Sequence, residues 1–70
     1  MNDKLILRAL RMLKNRADYW QKRGGKTTSA AVAAHANIRA STYQSAYDIL
    51  HCAILGDEEC LRGFDYYDAN

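Results

Sequence analysis

The sequence predicts an all-α fold in which two long antiparallel helices, over about residues 3–23 and 28–55, precede a tail at residues 57–70 that adds one short helical turn. Three observations predict this fold. The 70 residues include no proline, and the only glycines are the Gly24-Gly25 pair, Gly56 and Gly63. Residues between these glycines favour helix, and apolar side chains recur there at helical spacing. A chain of this length makes one domain, residues 1–70, and is only marginally stable alone.

The first helix is expected to begin near Asn2 or Asp3, whose short side chains can cap it, and to end before Gly24-Gly25. Its apolar side chains form two neighbouring rows that together cover roughly 160° of the circumference, wider than the ~100° stripe of a surface helix. One row contains Ile6, Leu10, Leu13, Ala17 and Trp20, and the other contains Leu5, Ala9, Met12 and Tyr19.

The second helix is expected to be capped by Thr27, Thr28 or Ser29 and to stop at Gly56. Its apolar side contains Val32, Ala36, Tyr43, Ala46, Tyr47, Leu50, Ala53 and Ile54, and Ile38 and Ile49 extend this side. Its polar back contains Ala33, Asn37, Ser41, Gln44, Asp48 and His51. Both helices show more apolar surface than a lone hairpin covers. The sequence therefore predicts a homo-oligomer, most simply a dimer that forms a four-helix bundle.

Charge is distributed unevenly along the chain. Eight of the ten basic residues lie in the first 26 positions against two aspartates, so this segment carries +6, whereas the remainder has two arginines against six acidic residues, or −4. The first helix is thus the expected docking place for an anionic ligand or an acidic partner. The predicted contacts are Lys4, Arg8, Arg11, Arg16, Lys22 and Arg39, with Tyr19, Trp20 and Tyr43 as aromatic anchors.

Two of these arginines fall among apolar side chains. Arg16 projects beside Met12 and Tyr19, where its guanidinium needs a carboxylate, an aromatic ring or a ligand. A carboxylate such as that of Asp48, or one from the tail, is the expected partner. Arg39 lies in the apolar face of the second helix, so either it anchors an interface or a ligand, or the helix is broken just before it.

The broken-helix reading is the main alternative, because the segment from residue 28 to 50 resembles a bacterial helix-turn-helix motif. Asn37 would adopt the left-handed turn conformation, and Ile38 would be the buried turn residue. The protein would then be a small DNA-binding regulator. Its major-groove contacts would come from Arg39, Ser41, Thr42, Gln44 and Ser45.

Catalytic and metal-dependent functions are not indicated. No paired carboxylates or activated nucleophile emerge, and His35, His51, Cys52 and Cys60 do not have zinc-ligand spacing. We therefore expect a non-enzymatic protein without a cofactor. No apolar run reaches the roughly 20 residues of a membrane span, and two cysteines without a signal peptide favour a reducing, cytoplasmic location.

A further pattern combines Leu10-x-x-Leu13-x-Asn15-x-x-x-Tyr19-Trp20, a short polar loop, and Tyr43-x-x-Ala46-x-x-x-Leu50. This layout resembles that of very small helical phage proteins, and in particular the phage quorum-sensing anti-activator family, whose members are helical-hairpin dimers that bind and disable host proteins. The resemblance implies a compact oligomer that blocks a host or defence protein, or sequesters a ligand such as a nucleotide, without turnover. The strongly basic first helix departs from that family, so no binding residue is carried over.

Overall fold

The computed structural model describes residues 3–64, which form three helices: α1 (Asp3–Lys26), α2 (Ala30–Leu55) and α3 (Glu58–Arg62). No strand occurs within this range. Contacts between α1 and α2 pair the end of one with the start of the other, so the two long helices are antiparallel and α3 packs on α2. The predicted all-α hairpin is confirmed. The proposed cap Asn2 and the tail from residue 65 onward lie outside the described residues.

The first helix runs through the Gly24-Gly25 pair and ends at Lys26, so the expected end at residue 23 is wrong. The reason is the close approach of α2. A Cβ atom added at Gly24 would lie 2.9 Å from Asn37 Oδ1 and 3.4 Å from Ala36 Cβ. Gly24 therefore allows the two helices to come together beside the loop, and this contact outweighs the low helix propensity of glycine.

The second helix has the caps that the sequence indicates. Ser29 has an extended backbone, and its hydroxyl accepts a hydrogen bond from the amide of Val32 at 3.3 Å. At the other end, Gly56 has the left-handed φ of 70° and its amide bonds to the carbonyls of Cys52 and Ala53. These are the N-cap and glycine C-cap arrangements that satisfy free backbone groups at helix ends.

Between these caps α2 is uninterrupted over 26 residues. In residues 3–64, no residue other than glycine has a positive φ, so Asn37 does not adopt the left-handed turn conformation. The broken-helix reading is wrong because Asn37, Ile38 and Arg39 continue the helix without a change of direction. Arg39 therefore lies on one side of a straight segment.

The short third helix confirms the predicted helical turn after Gly56. Asp57 caps it, accepting a hydrogen bond from the amide of Cys60 at 3.0 Å. A disulfide joins Cys52 of α2 to Cys60 of α3, with their Cα atoms 5.7 Å apart. The spacing of the two cysteines does not by itself indicate this pair. The Gly56 turn reverses the chain so that two cysteines eight positions apart meet.

The hairpin has a small core. The buried apolar side chains of the described chain are those of Leu10, Ala17, Ala36 and Cys52. The first predicted row of α1 faces α2, since Ile6, Leu13 and Trp20 are half-buried around Leu10 and Ala17. The second row remains exposed in the single chain; it consists of Leu5, Ala9, Met12 and Tyr19.

Candidate functional site

One side of the hairpin is held by a polar network. Lys14 Nζ donates a hydrogen bond to Gln44 Oε1 at 2.9 Å, and Gln44 Nε2 donates to Asp48 Oδ1 at 3.0 Å. Lys14 also lies 3.7 Å from Asp18, the only ion pair among residues 3–64. Gln44 and Asp48 are half-buried, so the expected polar back of α2 partly faces α1. This network accounts for two of the hairpin's carboxylates.

The opposite side carries the two arginines that sequence analysis placed among apolar residues. Arg16 extends over the ring of Tyr43, with its Cζ 5.9 Å from the ring centre. The expected pairing of Arg16 with Asp48 is wrong, because Asp48 lies on the other side of the helix pair and bonds to Gln44. The aromatic alternative is the one observed, and such a cation–π contact contributes about 0.5–1 kcal/mol at an exposed site.

Arg39 meets the indole of Trp20, the single tryptophan of the chain. Its Cζ lies 4.8 Å from the ring centre, and the Cζ of Arg23 lies 5.5 Å from the same centre. The imidazole of His35 approaches the indole edge-on at 6.3 Å, and Tyr19 does so at 5.2 Å. We name these five residues the Trp20 cluster.

Hydrogen bonds orient both guanidinium groups of the Trp20 cluster. Arg39 Nε donates to His35 Nε2 at 2.8 Å, an i,i+4 pair on α2. Arg23 Nη1 donates to the hydroxyl of Tyr19 at 3.2 Å, an i,i+4 pair on α1. A guanidinium has five N–H donors, so most donors of both arginines remain available to a bound molecule. The arrangement holds the charges beside the ring without neutralising them.

The surroundings of the Trp20 cluster are cationic. Within residues 3–64, neither Arg23 nor Arg39 has a carboxylate within ion-pair distance. Lys22 and Lys26 join Tyr19 and Arg23 in lining an adjoining depression of about 290 Å³. The loop end of the hairpin therefore concentrates positive charge around an aromatic surface, an arrangement that attracts anions.

The structure brings together only part of the predicted contact set. Trp20, Tyr19 and Arg39 belong to the Trp20 cluster, and Lys22 borders it. Arg16 and Tyr43 form the neighbouring pair. The others, Lys4, Arg8 and Arg11, are exposed toward the far end of α1 and have no contact with the cluster.

The residues proposed to read DNA do not form a separate recognition helix. Gln44 is engaged in the network with Lys14, and the hydroxyl of Thr42 donates to the carbonyl oxygen of Ile38 at 2.8 Å. Ser41 lines a depression of about 280 Å³ between the long helices, and Ser45 is exposed. Without a preceding turn, these side chains lie on different sides of one continuous helix.

Two members of the Trp20 cluster were missed from the sequence as contacts: Arg23 and His35. The signal was present in the spacing. Arg23 follows Tyr19 by four residues and Trp20 by three, and Arg39 follows His35 by four, so each pair shares a helix side. His35 was considered only as a metal ligand, and residues 3–64 contain no group of three histidine, cysteine or acidic side chains that could hold a metal ion.

No protein-family model matches the sequence, and neither a curated protein nor a solved structure is significantly similar to it. In the described chain, none of the helices has an apolar stretch long enough to cross a bilayer. The arguments for function therefore come from the geometry of the hairpin itself.

Proposed function

We propose that this chain is a non-enzymatic binding protein that captures an anionic ligand carrying a planar ring, such as a nucleotide, at the Trp20 cluster. One observation carries the proposal: two guanidinium groups flank a single indole at 4.8 and 5.5 Å, and no carboxylate of the described chain lies within ion-pair distance of either. Unneutralised arginines at a partly exposed aromatic ring suit a ligand that supplies both negative charge and a stacking surface.

The chemistry of the cluster suits the two parts of a nucleotide. Trp20 is half-buried beside the exposed Arg23 and Arg39, so a base would stack against this group of indole and guanidinium planes. The free N–H groups of Arg39 and Arg23 match the paired oxygens of a phosphate, which guanidinium binds in bidentate fashion. Lys22 and Lys26 would add longer-range attraction for further phosphates.

The biological role that we propose is sequestration by a phage or mobile-element protein, acting in the cytoplasm of a bacterial host. The helical hairpin and the unneutralised arginines of the Trp20 cluster support a protein that acts by occupying its target. Inhibition of a host or defence protein would follow either from removal of its nucleotide or from direct contact. In a reducing cytoplasm Cys52 and Cys60 would be thiols, and α3 would be held by the caps at Gly56 and Asp57.

Fluorescence of the single tryptophan gives a direct test, because Trp20 is itself the proposed stacking surface. The protein would be excited at the red edge of tryptophan absorption and titrated with ATP, with cyclic dinucleotides and with inorganic phosphate. We expect saturable quenching by a nucleotide, weaker binding of phosphate, and affinity that falls with salt.

Matched charge removals test the site. Arg39→Gln should weaken nucleotide binding by about 10- to 100-fold, the effect of losing a charge-assisted hydrogen bond worth about 1.5–3 kcal/mol. Arg8→Gln removes the same charge from the exposed far part of α1 and should leave binding within about twofold. Equal losses in both variants would indicate general electrostatic attraction and contradict the site. Saturation by duplex DNA alone, with no response to nucleotides, would favour the DNA-binding alternative.

A further inference from the structure

The side of the hairpin that carries Arg16 and Tyr43 continues toward the open end as an uncharged apolar surface. On α1, Ala9 and Met12 precede Arg16 by seven and four residues, so they share its side, and Leu5 extends the row by one more turn. On α2, Ala46 follows Tyr43 by three residues. Leu5 is 58% exposed and Met12 46% exposed, although both are large apolar residues. We name these five residues, Leu5, Ala9, Met12, Tyr43 and Ala46, the apolar patch.

The single chain exposes more surface than a compact protein of its mass. Its accessible area is 5767 Å² for 7.9 kDa, whereas a compact monomer of that size exposes about 4,400 Å². The excess of about 1,300 Å² is larger than the roughly 800 Å² that each partner contributes to a standard protein interface. The excess over the whole chain is therefore large enough to include an interface of standard size.

The composition of the apolar patch favours a second copy of the chain as its occupant. The five residues of the patch are uncharged, and Arg16 at its edge lies seven residues from Ala9, so two copies whose axis passes near Ala9 keep their Arg16 side chains apart. A two-fold interface uses the same surface on both copies and needs projections as well as recesses. Both are present in the patch, because Leu5 and Met12 project while the short side chains of Ala9 and Ala46 leave recesses beside them. The small side chains of Ala9 and Ala46 permit close approach of the backbones.

We propose that two copies associate through the apolar patch to form a four-helix bundle, with the two-fold axis close to Ala9 and Ala46. This arrangement covers Leu5, Ala9 and Met12, the part of the exposed row of α1 that lies toward the open end of the hairpin. The Trp20 clusters lie toward the loop ends, away from the axis, and remain accessible in both copies. The proposal is independent of ligand binding, since it rests on a different set of residues.

Sedimentation equilibrium of the full chain across a concentration series tests the proposal, with Met12→Glu and Ile38→Glu as matched variants. Ile38 is 68% exposed and lies on α2 outside the apolar patch. We expect the unmodified chain and Ile38→Glu to be dimers, and the association constant of Met12→Glu to fall at least 100-fold while its helical circular dichroism persists. A monomeric unmodified chain, or a Met12→Glu protein that dimerises normally, would overturn the proposal.

A cross-linking measurement tests the same dimer interface if Met12→Glu fails to fold. With the Cys52–Cys60 disulfide intact, Ala9→Cys introduces one free thiol close to the proposed axis, and Ile38→Cys introduces one away from it. Mild oxidation at low protein concentration should convert Ala9→Cys largely to a covalent dimer and leave Ile38→Cys largely monomeric. Equal cross-linking of the two variants, or none in Ala9→Cys, would refute an interface at this surface.

Discussion

Replacement of the two adjacent glycines of α1 provides a sharp test of the packing at the loop end. An alanine Cβ at Gly25 would meet no atom within 4 Å, and Gly25 lies inside a helix. Gly25→Ala should therefore stabilise the protein by about 0.5–1 kcal/mol, through higher helix propensity and a less flexible unfolded chain. For a domain of this size, that corresponds to a rise in Tm of about 2–8 °C.

Gly24→Ala makes the same chemical change one residue earlier and should give less of this gain. Its Cβ would lie 2.9 Å from Asn37 Oδ1, so the exposed amide must rotate away, and it would touch the buried Cβ of Ala36 at 3.4 Å. We expect Tm to rise less than in Gly25→Ala or to stay unchanged. Adding Asn37→Ala should recover part of the gain, because it removes the closest atom.

Thermal unfolding followed by circular dichroism at 222 nm measures all three variants under identical conditions. The two glycine replacements each add one methyl group, and Asn37→Ala removes an uncharged amide. The net charge is therefore the same in all three variants. If Gly24→Ala raises Tm as much as Gly25→Ala does, then α2 does not approach α1 at this point, and our explanation for the glycine within α1 is wrong.

Three further predictions concern the rest of the described structure. Gly56→Ala should destabilise the protein by about 1 kcal/mol in thermal unfolding, because a Cβ is disfavoured at its φ of 70°; an unchanged Tm would contradict the left-handed cap. Gln44→Ala should lower the free energy of unfolding by about 1 kcal/mol, because Lys14 loses an acceptor and Asp48 loses a donor. Ser45→Ala, at an exposed position, should change it by less than about 0.5 kcal/mol. Equal effects of the two variants would refute the network. Reduction of the disulfide, which joins two cysteines eight positions apart, should lower the free energy of unfolding by up to about 2.5 kcal/mol, because the unfolded chain gains conformational freedom. A Tm unaffected by a thiol reductant would contradict this prediction.

The sequence predicts the helices well because their signals are local. Ser29 is one of three candidate caps within a single turn, and Gly56 with Asp57 ends one helix and begins the next by hydrogen bonds to nearby residues. These interactions involve neighbours in the chain, so composition and spacing are sufficient. The exposed second row of α1 is likewise visible from helical periodicity alone.

The errors arise where a distant segment decides the outcome. Gly24 remains helical because α2 needs space at that point, which no local propensity indicates. Asp48 is drawn into the network with Gln44, so Arg16 stacks on Tyr43 instead. Both outcomes depend on the rotation of one long helix against the other, which local sequence patterns do not give.

In the candidate site, too, the local signals are visible in the sequence, whereas the contacts between distant segments are not. Arg39 and Trp20 were each identified from their residue type, but their meeting at 4.8 Å depends on the antiparallel register. Arg23 and His35 share helix sides with these residues at i+3 or i+4 spacing, a signal that the sequence contains. The pairing of Cys52 with Cys60 required the reversal at Gly56 to be placed exactly, which pattern alone does not do.

The connection between the long helices consists of only three residues, Thr27, Thr28 and Ser29. Closing so short a loop costs little entropy, and the first contacts to form, around Gly24 and Ala36, lie beside it. Pairing can then spread outward along the hairpin, so we expect folding in microseconds to milliseconds. Because the chain contains no proline, refolding with the disulfide intact has no prolyl isomerisation step, and we expect the hairpin to form almost as soon as its second helix is complete.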